Sequence, residues 1–354
     1  MEKGKKVIDT EIPILPTFGQ LGGQDVAQTF IDSYGLDLII TLWDGFVIHY
    51  IGSLSVPALT YLPIDAPFTG NMFVNVQDAY RVIAFSKFGQ QELLKWFLPS
   101  KVDYIPHGID TELYKPLSEN EKRKIKEEFE IPEDAFMIVN VAANVGERKQ
   151  MPFQMLVFRE FLRTHPDAYM YFFTNMSMPY PAGYDLVTFS KMIGIHDHIR
   201  YPKVDPIIEP FTEERMVGLY SASDLLWSMT LGEGFGLPTL EALASGTPVA
   251  ITNCSTSPEL VEGHGWLIDT NPDYVFVPVW IPTLQMYPVP SMKSALACLE
   301  DAYKNPDKVK EYGKKAREFS LGYSWDKLMP KWFSLLREVE DELKMYKELG
   351  GMPT

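Results

Sequence analysis

The sequence predicts an α/β fold with two doubly wound domains, and three observations carry that prediction. Apolar, β-rich runs alternate with amphipathic runs almost throughout, the pattern of parallel sheets covered by helices on both faces. The 354 residues, 46% hydrophobic and 22% charged, suffice for two cores of common domain size. A break at Tyr114-Lys115-Pro116-Leu117 precedes Ser118 and Glu121, spaced as a capping box. It divides the chain into a first domain over 1–114, a second over 115–323 and a closing helix within 324–354.

In the first domain, strands are predicted over 36–42, 57–62, 80–85 and 102–105. They end in Trp43-Asp44-Gly45, Pro63-Ile64-Asp65, Ser86-Lys87 and Pro106-His107-Gly108. Ligands of open α/β sheets sit beyond the carboxyl ends of the strands, so Asp44, Asp65 and Ser86 fall on one rim. The second domain reads strand (135–141), Gly/Arg/Lys loop, helix (152–164), strand (169–173) and helix (186–193). It continues with strand 199–201, helix 212–220, strand 224–228, a glycine-rich turn, and helices over 237–245 and 258–262. A Pro- and aromatic-rich loop over 271–290 and two or three closing helices follow, the last over 327–349.

Composition narrows the function. A net charge of -15 and a pI near 4.9 argue against a phosphate-backbone binder, so nucleic acid is not an expected partner. Lys3, Lys5 and Lys6 are not followed by an apolar signal-peptide core, because Asp9, Glu11 and Pro13 interrupt it. The apolar region 36–68 is broken by Asp37, Asp44, His49 and Asp65, too often for a spanning helix. A cytoplasmic protein is expected, with peripheral membrane contact left open. Cys254 and Cys298 make neither a disulfide framework nor a zinc set, and reduced thiols are expected.

The chemistry concentrates in S-M-T-L-G-E-G-F-G-L-P-T-L-E-A-L-A-S-G, residues 228–246. Pro238 suits a first helical turn and Gly246 an exit, which leaves Glu233 in the loop before the helix and Glu241 one turn inside it. Gly232, Gly234 and Gly236 let the backbone bend and approach a ligand, and the free amides at the helix start make an anion site. An anion flanked by two carboxylates points to a ligand carrying phosphate and hydroxyls, and a nucleotide sugar fits. The plainer alternative is an ordinary turn in which Glu241 stabilises the helix dipole.

The string E-G-F-G-L-P-T-L-E, preceded by L-Y-S-A-S-D-L-L-W-S, resembles the Glu, seven residues, Glu signature of the family four (group 1) retaining glycosyltransferases. Y-R-V-I-A-F-S-K-F-G, Y-I-P-H-G-I-D-T-E-L-Y-K-P, E-R-K-Q, A-I-T-N-C-S-T-S-P-E-L-V with H-G-W-L-I-D, and Y-S-W-D-K-L resemble that family in the same order, over roughly 20–340. The resemblance implies a GT-B fold, two facing Rossmann-like domains with the last helix crossing back to the first. It implies retaining, metal-independent transfer, with no cofactor, from a nucleoside-diphosphate sugar to a hydroxyl of a sugar, glycan or lipid-linked acceptor. Glu233 would contact donor-sugar hydroxyls, Glu241 the ribose, and the backbone of Gly234, Phe235, Gly236 and Leu237 the sugar and phosphate. Lys149 fits the family's diphosphate lysine, while Asn144 stands where arginine is usual and Arg148 is the candidate to supply the missing charge. Residues 201–204 would hold the base, and Glu259 either approaches the donor or simply opens a helix.

Two departures bear on the acceptor. The family's rim histidine is absent, since Pro63 and Ile64 precede Asp65, which leaves Asp44 and Asp65, with Ser86, as acceptor-side candidates. The I-P-H-G-I-D segment begins near residue 105, earlier than the resemblance implies, so the first domain is expected to lack its opening strand and helix units. The alternative to a transferase is therefore a nucleotide-sugar-binding module that needs a partner chain for its acceptor side. His196-Asp197-His198 reads as an exposed turn rather than a metal site. Tyr274, Trp280 and Tyr287 read either as a sugar-stacking wall or as loop packing. Base, sugar, acceptor and oligomeric state are not legible.

Overall fold

The computed structural model of the chain describes residues 6–7, 10–11, 15–17, 19, 21–177, 183–277 and 285–350. After a short antiparallel pair, β1 (Lys6–Val7) and β2 (Thr10–Glu11), and helix α1 (Ala27–Tyr34), comes the first parallel sheet. Its strands β3 (Ile39–Leu42), β4 (Ala58–Leu62), β5 (Arg81–Ala84) and β6 (Val102–Tyr104) lie side by side in sequence order. Helices α2 (Gly70–Val76) and α3 (Lys87–Leu93) make two of the crossovers. Every residue of β4 and β5 is buried, which is why both read as unbroken apolar runs rather than alternating ones.

Helix α4 (Glu119–Glu128) opens the second unit, and its capping box forms as predicted between Ser118 and Glu121. Strands β7 (Phe136–Val141), β8 (Ala168–Phe173) and β9 (Ile199–Arg200) follow, separated by α5 (Met151–Leu162) and α6 (Leu186–Met192). Then come α7 (Glu213–Ala222), β10 (Leu225–Ser228), α8 (Leu237–Ala244), β11 (Val249–Thr252), α9 (Ser257–Val261) and β12 (Trp266–Ile268). The spatial order is β12-β11-β10-β7-β8-β9, all parallel, so the chain runs outward from β7 and returns to the other side of it with β10. The reversal leaves a crevice between the carboxyl ends of β7 and β10, the switch point at which open α/β sheets hold ligands. Fold class and the eight strands of the sequence reading hold, with ends shifted by at most three residues, and β1, β2, β11 and β12 are additional to them.

The segment predicted as a loop over 271–290 is instead partly a two-stranded antiparallel ribbon, β13 (Thr270–Val277) with β14 (Gln285–Pro290). Residues 278–284 between them, Trp280 included, and the side chain of Tyr274 lie outside what the structure describes. Helices α10 (Met292–Lys304), α11 (Pro306–Ser320) and α12 (Trp325–Glu348) close the chain. Helix α12 lies against the first sheet: Trp332 meets Tyr61 edge to face at 5.1 Å, and Arg81 of β5 pairs with Glu338 at 2.8 Å and Glu342 at 2.6 Å. A single apolar cluster runs from Leu59, Ile83 and Ile105 through Leu335 and Val339 to Leu240 and Val249, joining the two sheets on one side.

Candidate active site

Four strand ends converge. Asp44 follows β3, the Pro63-Ile64-Asp65 turn follows β4, the loop bearing Arg148 and Lys149 follows β7, and the glycine-rich loop follows β10. The last two flank the switch point and are tied together by the Leu231 amide donating to the Arg148 carbonyl at 2.9 Å. Gln150, at φ 51°, turns the chain sharply after Lys149 into α5. That turn directs both cations back toward the glycine loop.

Their target is Glu233. Lys149 Nζ donates to Glu233 Oε1 at 2.6 Å, and Arg148 Nη1 stands 3.6 Å from Oε2 while donating to the Gly232 carbonyl at 2.6 Å. Burial by itself pushes the Glu233 carboxyl up, but the charges of Lys149 and Arg148 outweigh it and hold the group below the usual range. Arg148 also faces the first domain, with Nε 3.6 Å from Asp65 Oδ2. Burial raises the Asp65 carboxyl, and burial with the nearby Asp65 charge pushes Asp44 up to about 6.

The glycines are needed where the two domains touch. A Cβ on Gly232 would collide with the Asp65 carbonyl and stand 2.9 Å from the Tyr287 ring, so only glycine admits this approach. Gly236, at φ 94°, starts α8 from the left-handed region, where a side chain is strained. Leu237 is exposed at the first turn, and Phe235 is buried against the His107 ring at 5.2 Å. Glu241, inside α8, accepts from the Tyr220 hydroxyl at 2.6 Å; burial raises its carboxyl.

Several supports were not legible. Ser255 is held at φ 44°, and its hydroxyl accepts from the Glu233 amide at 2.9 Å. Thr256 Oγ1 donates to the carbonyls of Glu233 and Gly234, each at 2.9 Å. Strained backbone at a non-glycine residue beside a reactive loop is a common mark of a functional site. Tyr287 of β14, one of the three aromatics flagged in the sequence, is buried, and its hydroxyl donates to Asp65 Oδ1 at 3.1 Å and to Gln285 Oε1 at 2.5 Å. It braces the first domain.

Other candidates are committed elsewhere. The Asn144 side-chain amide donates to the Asn175 and Tyr184 carbonyls at 2.9 and 2.7 Å, which engages both of its N–H groups. Ser86 is fully buried and caps α3 by accepting from Gly89 N at 3.0 Å. Glu259 reaches across to the same helix, accepting from the Lys87 amide at 2.8 Å. His196 and His198 spend their Nδ1 atoms on the Ser190 hydroxyl at 2.8 Å and the Ala168 carbonyl at 3.1 Å. Residues 201–204 line a cavity of about 230 Å³ with Phe129, Tyr171 and Arg215.

Comparison with known proteins places this geometry. Residues 198–276 match the family model described as glycosyl transferases group 1. A D-inositol 3-phosphate glycosyltransferase of Corynebacterium kroppenstedtii is 26% identical over 206 residues, 53% of this chain and 44% of that protein. The O-antigen biosynthesis glycosyltransferase WclY of Escherichia coli is 27% identical over 168 residues, 47% of this chain and 42% of its own. The matches thus span less than half the length of these curated relatives. Among solved structures, HepE of Anabaena in complex with UDP and glucose superposes with a TM-score of 0.69 at 17% identity, over 91% of this chain and 84% of that one. Sucrose-phosphate synthase from Thermosynechococcus elongatus gives 0.70 at 17% identity, over 90% and 77%. The fold is GT-B.

Proposed function

We propose, from the premise that residues 198–276 are group 1 glycosyl transferase sequence set in a GT-B fold, that this protein moves a sugar from a nucleoside-diphosphate sugar to an acceptor hydroxyl with retention. The observation that carries the reading is the convergence of Lys149 and Arg148 on Glu233 at the mouth of the β7/β10 crevice. Two cations beside a helix start supply the positive field that a departing diphosphate requires, which is the role a metal ion would otherwise fill. In the reaction, the bond from the anomeric carbon to the diphosphate oxygen breaks and that oxygen keeps the electron pair. The acceptor oxygen bonds to the same face of the carbon, and its proton passes to the leaving phosphate.

On this reading Glu233 holds donor-sugar hydroxyls, and Lys149 and Arg148 stabilise the leaving group. The backbone of Gly234, Phe235, Gly236 and Leu237 contacts sugar and phosphate. Glu241 accepts from the ribose diol, and residues 201–204 hold the base. Asp44 and Asp65 position the acceptor from the facing domain. The relatives named for D-inositol 3-phosphate and for O-antigen biosynthesis support an acceptor bearing hydroxyls.

Calorimetric titration of the chain with UDP, GDP and ADP and their glucose or mannose conjugates tests this, followed by NMR of the anomeric proton in any product. Selective binding is expected. Glu241→Ala should weaken nucleotide binding by about tenfold, one hydrogen-bonded carboxylate's worth, whereas Glu233→Ala should abolish transfer with less loss of binding. Equal, negligible effects of both would overturn the assignment.

A further inference from the structure

Beside the Glu233 loop, and lined in part by its Leu231, lies a cavity of about 130 Å³ to which three further parts of the chain contribute. Asp65 and Phe88 come from the first domain, Asn253 and Ser255 from the turn after β11, and Thr270 and Pro288 from the ribbon. Ser255 is shared with the donor loop, because the same hydroxyl takes the Glu233 amide. The cavity therefore adjoins the position proposed for the transferred sugar. Asn253 is exposed at its edge, which opens it to solvent.

Its chemistry is one-sided. Among the described residues, Asp65 is the one charged member of the lining, and no lysine or arginine contributes. Arg148, the cation beside Asp65, already spends its guanidinium on Asp65, Glu233 and the Gly232 carbonyl. Tyr287 fixes the Asp65 carboxylate from behind, and Gln285 of the same strand donates to Met72 Sδ at 3.3 Å, fastening the ribbon to the first domain. Carboxylate, amide and hydroxyl groups with apolar walls at Phe88 and Pro288 suit a hydroxylated ring, whose hydroxyls hydrogen-bond while its C–H face packs. A phosphate there would meet the Asp65 carboxylate with no cation to spare, since Arg148 is already engaged by Asp65 and Glu233.

We propose that this ribbon-built cavity seats the acceptor, and that the seated group is an uncharged polyhydroxylated ring rather than a phosphorylated one. The proposal rests on the glycosyl-transfer reading. Asp65 and Asn253 hold the ring's hydroxyls, and Tyr287 is a positioning residue acting through Asp65.

The test measures transfer from whichever donor conjugate the titration selects, with glucose and inositol compared against their monophosphates. Wild type should favour the neutral members, by about tenfold or more in kcat/KM. Thr270→Lys places a cation in the lining and should shift the ratio of neutral to phosphorylated acceptor toward the phosphorylated one by about tenfold, chiefly through KM. Pro288→Lys, across the same cavity, should act in the same direction, and thermal melts confirm that both variants fold. Tyr287→Phe should raise the KM for the neutral acceptor more than it changes donor Kd. Preference of the wild type for the monophosphates overturns the proposal. So does an unchanged ratio in both lysine variants, or turnover of none of the four compounds by a chain that binds and hydrolyses donor. Failure to bind any donor overturns the transfer reading itself, and the seat with it.

Discussion

Lys149 and Glu233 form an ion pair with little solvent access, and neither is independent of the other: removing one strands the opposite charge. Lys149→Met should therefore cost about 3 kcal/mol of stability as well as transfer activity. The double variant Lys149→Met/Glu233→Met should recover much of that stability in denaturant melts while remaining inactive. Recovery of activity along with stability would show that the pair is structural. At this scale the sequence was informative about residue type and poor about partners. Glu233 was marked by the glycine-rich turn before a helix start, and Lys149 and Arg148 by what the family resemblance implied. The bracing of Asn144 depends on contacts with Asn175 and Tyr184 that no local pattern encodes, whereas the Ser86 cap on Gly89, three residues on, is a local helix-start signal masked by the rim position of Ser86.

Helix α3 shows how an element can be held from two domains at once. Its cap residue Ser86 satisfies the Gly89 amide and Glu259 from α9 satisfies that of Lys87, so free N–H groups at its start are paired from both sides. Ser86→Ala should lower stability by about 1 kcal/mol, read as a shift in denaturation midpoint at constant slope. A change in slope instead would mean that the domain itself had loosened. Strands β4, β5, β7 and β10 were legible as apolar runs because a parallel sheet buries both their faces. The ribbon was not: Pro288 and Pro290 suggested a loop, yet as members of a two-stranded ribbon they need not donate to a second neighbour.

Across the whole molecule, α12 is the connection that sequence alone could not locate, since the resemblance implied its return to the first domain without naming a contact. Arg81 is buried beneath it, donating to Glu338, Glu342 and the Ser100 carbonyl. Arg81→Met should destabilise the chain by about 2 kcal/mol, more at low salt than at high, because part of the network is solvent-exposed. Salt-independent loss would point to packing rather than charge.

The distance along the chain between those partners has a consequence for how the protein is made. Arg81 and Glu338 are separated by 257 residues, so the early strand leaves the ribosome long before its acidic counterpart has been synthesised. At ordinary elongation rates the wait is roughly 13 to 50 seconds. Through that interval Tyr61, Tyr80 and the β5 guanidinium stand without the helix that covers them. Nascent chains stalled before residue 325 should accordingly be the species on which holding chaperones act.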